Sequence, residues 1–298
     1  MGKNNCAMRN TLIFILLVSS SFSFSQYRRA KVKRSWSAGT MFVYWGYNRS
    51  FYTKSNINFS GPGYDFTLNG TKAVDRPSSD LKTYLSPNTI TVPQFNLRVG
   101  YNIKNNWAIS LGYDHMKYVL LDNQPYTLSG YIKPGVDNVT NWSGNYNNEP
   151  VVTQSEYFHY ENTNGLNYIR AEITRIDQLY RSEGGVFAFS TLEGISTGGI
   201  LSFNDFTFAG QKDVKTISMS GFGLSAHIGA RFEFWKHFFV QANGAGGFMN
   251  QANVDTRPDD YNSFAKQKFG YAAIEIVAGA LFYFKPKNGC DSCPQWGK

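Results

Sequence analysis

The chain has 298 residues, 29 basic against 21 acidic, a formal net charge of +8 and 16% aromatic residues. Its best apolar run, Phe269 to Phe284, is interrupted by Glu275, which argues against a spanning helix. Nucleic acid is a poor match for the positive excess, because the chain begins as an exported one.

Lys3 and Arg9 precede the short apolar run Thr11 to Val18, and the small residues Ser23 and Ser25 follow it. That order is a secretory leader over residues 1–25, with cleavage before Gln26. Arg28, Arg29, Lys31, Lys33 and Arg34 then form a basic tail over 26–34. It reads as a solvated segment, or as a contact for anionic headgroups on the periplasmic side.

A barrel over 35–284 is expected next. Its first strand spans Ser35 to Asn48, with faces that are not cleanly separable. A polar region follows from Arg49 to about Pro87. Within it, Ser55 to Phe59 and Tyr64 to Leu68 flank Gly61-Pro62-Gly63, the pattern of a hairpin projecting beyond a membrane. From Phe95 the alternation is clean: Phe95, Leu97, Val99, Tyr101 and Ile103 oppose Asn96, Arg98, Gly100 and Asn102. After a turn at Lys104-Asn105-Asn106, Trp107, Ile109, Leu111 and Tyr113 oppose Ala108, Ser110, Gly112 and Asp114. Leu120 to Gly165 is long, polar and acidic, and is expected as an external loop.

Leu166 to Asp177 makes the next strand, setting Ile169, Ala171 and Ile173 against Arg170, Glu172 and Thr174. Ser182 to Gly185 turns the chain into Val186 to Thr197, whose phase Gly194, Gly198 and Gly199 leave open to a bulge. An external loop is expected from about Ile200 to Lys215. The strongest signal is Phe222 to Asn250. Phe222, Leu224, Ala226, Ile228, Ala230, Phe232 and Phe234 alternate strictly with Gly223, Ser225, His227, Gly229, Arg231 and Glu233. Successive strand residues face opposite sides, so one face is wholly apolar. A last loop is expected at Gln251 to Lys266 before the closing strand, Lys268 to Phe284. Together these predict an all-β, antiparallel transmembrane β-barrel of about eight strands with long external loops, in the outer membrane, both termini periplasmic. A soluble β-sandwich is the structural alternative.

Val277-Ala278-Gly279-Ala280-Leu281-Phe282-Tyr283-Phe284 resembles the terminal signal by which outer-membrane barrels are inserted. It departs in Ala278, where a polar residue is usual, and in the tail 285–298. The layout is similar to the OmpA transmembrane domain and the OmpW-like barrels. Gly46 to Leu68 and Tyr160 to Ile169 look like segments of small, uncharacterised outer-membrane barrels. The resemblance implies outer-membrane lipids and the insertion machinery as partners, and carries over no catalytic residue.

The inward set contains Arg98, Asp114, Arg170, Glu172, His227, Arg231, Glu233 and Glu275. An eight-stranded barrel is only wide enough for its own side chains, so these charges are expected to pair into a structural plug. Asp114 and His115 face opposite ways and cannot act as base and orienting acid. His115 at the lipid rim is the one candidate for lipid-modifying chemistry. Glu156, His159 and Glu161, and Asp255, Asp259 and Asp260, lack a recognised calcium spacing and read as solvated loop charge. Cys290 and Cys293 in the terminal tail predict a local disulfide; two thiols do not complete a zinc site, and no metal or cofactor is expected. The leading function is non-enzymatic: binding through external loops, or service in an envelope complex. A porin-like conduit for solutes or lipid and an outer-leaflet lipid-modifying enzyme are the alternatives.

Overall fold

A computed structural model describes residues 38–284. The expected leader, both terminal tails and the Cys290/Cys293 pair lie outside the described residues. Thirteen strands form one sheet: β1 (Thr40–Tyr52), β2 (Ser55–Gly61), β3 (Tyr64–Thr71), β4 (Ala73–Val74), β5 (Phe95–Lys104), β6 (Trp107–Leu120), β7 (Pro125–Ile132), β8 (Gly144–Val152), β9 (His159–Arg181), β10 (Phe187–Phe208), β11 (Gln211–Phe234), β12 (Phe238–Asp255) and β13 (Phe264–Tyr283). One helical turn, α1 (Lys82–Leu85), precedes β5.

Eight of these strands close a ring in the order β1-β5-β6-β9-β10-β11-β12-β13, and β13 pairs back onto β1 from Thr40↔Tyr283 to Tyr52↔Tyr271. Closure gives each strand two ladder partners and leaves the ring without an edge. The fold is an antiparallel β-barrel. The alternation of Phe222 to Phe234 becomes its wall: Leu224 and Ile228 face outward and stay exposed, while Ser225, His227, Arg231 and Glu233 are buried. Leu111, Ile195, Ile228 and Ile276 are exposed at 71, 65, 70 and 62%, so the wall as a whole presents branched aliphatics outward. Exposed aromatics bracket this band, with Tyr101, Trp107, Trp235, Phe238 and Phe282 at the short-turn end and Phe51, Phe222 and Phe248 at the other. An apolar belt between two aromatic girdles is the surface of a transmembrane barrel.

The phase of β10 is resolved with Ala188, Ser190, Leu192 and Ser196 inward. Of its two register shifts against β11, one falls at Ile200/Leu201, just after the glycines that left the phase open, and the other at Phe206/Phe208.

The external loops differ most from expectation. Leu120 to Gly165 holds β7, β8 and the start of β9, and Ile200 to Lys215 is a continuous hairpin of β10 and β11 turning at Ala209 and Gly210, both at positive φ. Of Gln251 to Lys266, only residues 256–263 lie outside strands. Beyond the apolar belt the wall continues: β13 pairs with β2 through Phe264–Gln267, and β2, β3, β7 and β8 follow in order. The Gly61-Pro62-Gly63 hairpin is therefore the first part of a folded cap. β7 looks like loop in sequence because one face is Pro125, Thr127, Ser129 and Tyr131, while the other carries only the spaced apolar residues Tyr126, Leu128 and Ile132.

Two apolar clusters fill the interior at different heights. The cap end holds Ile57, Phe59, Phe66, Phe158, Phe206 and Met249 among others. The short-turn end holds Phe42, Tyr44, Ile176, Leu192, Phe239 and Leu281. Charged residues occupy the layer between.

Candidate functional site

The titratable side chains of the middle layer come from five strands, β5, β6, β9, β11 and β13. Arg98 on β5 and Asp114 on β6 reach each other across the lumen wall because Asn96↔Asp114 and Arg98↔Gly112 are in register. Gly112 makes this geometry fit, since a Cβ there would lie 2.5 Å from Arg98 Nε. Arg98 donates from Nη1 to Asp114 Oδ1 at 2.6 Å, from Nη2 to Asp114 Oδ2 at 3.0 Å, and from Nε to Glu172 Oε2 at 3.4 Å. This is the two-pronged pairing that the planar guanidinium favours. Arg170 sits 3.0 Å from Asp114 and 3.5 Å from both Glu172 and Glu275. It also donates to Ser225 Oγ at 3.0 Å.

Neutral side chains finish the network. Asn96 donates to Asp114, Asn243 donates to Glu275 Oε2 at 2.9 Å, and Ser110 donates to Glu172 Oε1 at 3.2 Å. His227 lies 3.9 Å from Glu172 and 3.4 Å from Thr174 Oγ1. Arg231 stands one layer lower, donating to Gln241 Oε1 at 2.6 Å with its guanidinium 4.0 Å from the Phe239 ring, and Glu233 is buried on the same strand. The structure thus brings Arg98, Asp114, Arg170, Glu172, Glu275 and His227 together and sets Arg231 and Glu233 apart. Asn48, Asn96 and Asn243 belong to the middle layer and Gln241 to that of Arg231; none carries a charge to mark it, and inward phase was the only available signal.

A water-filled passage would leave its lining accessible. Arg98 is 0% exposed, Arg231 1%, Phe239 1% and Met249 0%, so side chains fill the lumen at every level described.

His115 is on the outward face of β6, yet it is not open to lipid. Its ring is buried, stacked on Phe95 at 5.3 Å, with Nδ1 2.8 Å from Asn167 Oδ1. A hydrogen-bonded, covered ring accounts for the residue, which corrects its expected place at the lipid rim.

In the cap, His159 and Glu161 point the same way from β9, with His159 Nε2 3.1 Å from Glu161 Oε2. Arg76 and Thr163 also bond the Glu161 carboxylate, at 3.0 and 2.5 Å. Glu156 lies outside the strand and is exposed. No group of three or more His, Cys, Asp or Glu among the described residues could hold a metal ion.

The Glu161 hydrogen bond raises the His159 pKa above the usual imidazole value against the effect of burial, and Asp122 and Asp205 add to the rise. Burial pushes Glu161 up, but His159, Thr163 and Arg76 outweigh it and hold the carboxyl below the usual range. The histidine's contribution is full below its ordinary pKa and disappears as pH rises through the raised one. That of the glutamate is full above its ordinary pKa and disappears as pH falls through the depressed one. The pair therefore stabilises the cap fully from roughly pH 4.3 to 6.5. Protease resistance of the cap, followed against pH, is expected to fall on either side of this window, and His159→Gln to abolish the alkaline fall. A profile unchanged in the variant would remove the pair as its origin.

No protein-family model and no curated protein matches the sequence. Among solved structures, the chain is similar to small outer-membrane barrels. Ail, the attachment invasion locus protein of Yersinia pestis, in complex with the heparin analogue sucrose octasulfate, is 12% identical, with 82% of this chain and 99% of that one covered and a TM-score of 0.31. The N-terminal β-barrel domain of Pseudomonas aeruginosa OprF is 10% identical, covering 83% and 100%, at 0.32. AlkL, solved in DMPC lipid bilayers, is 10% identical, covering 89% and 100%, at 0.36. Scores this low carry no argument about role; ring closure and the two-faced wall carry the architecture.

Proposed function

We propose that the chain is a non-enzymatic outer-membrane barrel whose folded cap faces the outside of the cell and binds a partner there, alone or as a subunit of an envelope complex. The observation that carries this reading is the contrast between a lumen filled by buried side chains and a cap that is a packed structure with exposed aromatics. Tyr131 and Tyr157 stand out from it, and Tyr261, in the loop 256–263, is 86% exposed. Rigid aromatics on a supported surface suit recognition, because they bury much area for little lost rotamer freedom. Both termini then lie in the periplasm with the short turns.

The buried lumen also counts against a conduit, since open channels need wider barrels. Planar bilayers holding the folded protein are expected to stay electrically silent; stepwise conductance would overturn the closed-lumen reading. The binding role is tested by a photocrosslinker in place of Tyr261 in intact cells. Adducts with a defined envelope or external partner support it, and their absence across cap positions, with a folded protein at the surface, would sink it.

A further inference from the structure

Where β13 leaves β1 and takes β2 as its neighbour, the outer face carries a concavity of about 700 Å³ whose lining includes Lys54, Asn56, Asn250, Lys266 and Lys268. These residues share the outward face: Lys266 and Lys268 are exposed on β13, Asn56 is exposed on β2, and Lys54 stands just before it. Residues two apart on a strand point the same way about 6.5–7 Å apart, so Lys266 and Lys268 form one side of the concavity and Lys54 the other. Lys266 lies over the Phe264 ring at 4.2 Å. None of the three lysines has an ion-pair partner among the described residues.

The height of this group in the wall gives it meaning. Phe248 is opposite Gly270, and the next outward pair toward the cap is Asn250 opposite Lys268. Phe248 belongs to the cap-side girdle, so the lysines begin one step beyond the apolar belt, where headgroups lie. Below the Phe248↔Gly270 pair, the outward pair Gly246↔Ala272, followed by Gly244 opposite Ile274, leaves a shallow track between larger neighbours. Cationic side chains around an amide-lined hollow suit a phosphate, and a low track further down the same wall, one outward pair past Phe248 and Gly270, suits an alkyl chain. A soluble anion would use the first feature only.

We propose that this basic concavity binds the phosphate of an anionic lipid in the surrounding leaflet, with the lipid's chains lying on the track formed by Gly246, Gly244 and Ala272. The inference rests on the membrane reading above.

The full chain folded into phosphatidylcholine nanodiscs, with spin-labelled phosphatidic acid or spin-labelled phosphatidylcholine as probe, tests it. The wild type is expected to restrict phosphatidic acid about tenfold more strongly than phosphatidylcholine, given the attraction of each lysine near an anionic surface. K54Q/K266Q/K268Q is expected to lose that preference, K54R/K266R/K268R to keep it, and inorganic phosphate at matched ionic strength to leave the wild type unchanged. Full preference in the folded glutamine variant would overturn the proposal, as would displacement by inorganic phosphate, which marks a free-anion site. Failure of the wild type to enter lipid would overturn the membrane reading as well, whereas the other two outcomes leave that reading standing.

Discussion

Arg98→Ala is expected to lower the unfolding free energy of the lipid-folded barrel by about 3–5 kcal/mol, the cost of leaving a buried charge without its partner. Arg98 is inaccessible to solvent and grips Asp114 with two nitrogens while also reaching Glu172. Its removal leaves Asp114 and Glu172 to Arg170, which already shares itself with Glu275. Arg98→Lys keeps the charge but cannot span both carboxylates in one plane, so it should fall between wild type and alanine. Arg98→Met with Asp114→Leu removes donor and acceptor together and should recover part of the loss, because a buried ion pair is worth little more than a packed apolar pair. Denaturant titration in lipid vesicles measures all three. If alanine costs less than about 1 kcal/mol, the value of a surface ion pair, the network does not organise the lumen.

The wall and the charged layer were legible in the sequence for the same reason. On Phe222 to Phe234, and on Phe95 to Ile103 and Trp107 to Tyr113, every second residue is apolar, so lipid-facing and lumen-facing sets separate by phase alone; Arg98 and Arg231 fall on the inner set, as do Asp114 just past Tyr113 and Arg170 between Ile169 and Ala171. Which charges meet was not legible. That depends on strand register, and Gly112, which clears the path for Arg98, has no distinguishing mark in the sequence. Beyond the Gly61-Pro62-Gly63 hairpin, whose two strands the sequence does show, the cap was illegible for a different reason. Its other strands are short and mix apolar residues with Asn, Ser, Thr and Gly, as in Pro125–Ile132 and Gly144–Val152, a composition equally common in irregular loops. Burial in the cap depends on partners far along the chain, as when Phe59 meets Phe206. His115 was misplaced because phase predicts which side a residue faces but not what covers that side.

That dependence on distant partners predicts how the cap should fail. Phe59 on β2 is fully buried, stacked on Phe206 at 5.4 Å and set edge-on to Phe158 and Tyr160 at 5.3 Å each. Phe59→Ala is expected to cost about 3–5 kcal/mol, the range for deleting a buried ring whose surroundings relax only in part. The loss should be local. Outside its hairpin partner β3, β2 is tied into the sheet by the four residue pairs from Phe264↔Ser60 to Gln267↔Ile57, whereas β1 and β13 pair along the whole of Thr40–Tyr52. A unit held mainly by its aromatic core can open while the ring below stays closed. In folded protein, protease should therefore cut the variant within residues 53–74 and 121–158, while its heat-modifiable migration is unchanged. Phe59→Leu, which refills much of the space, should show intermediate cutting. Should Phe59→Ala resist protease as the wild type does, the cap would owe its order to the barrel beneath it; should migration be lost together with resistance, cap and barrel would fold as one unit.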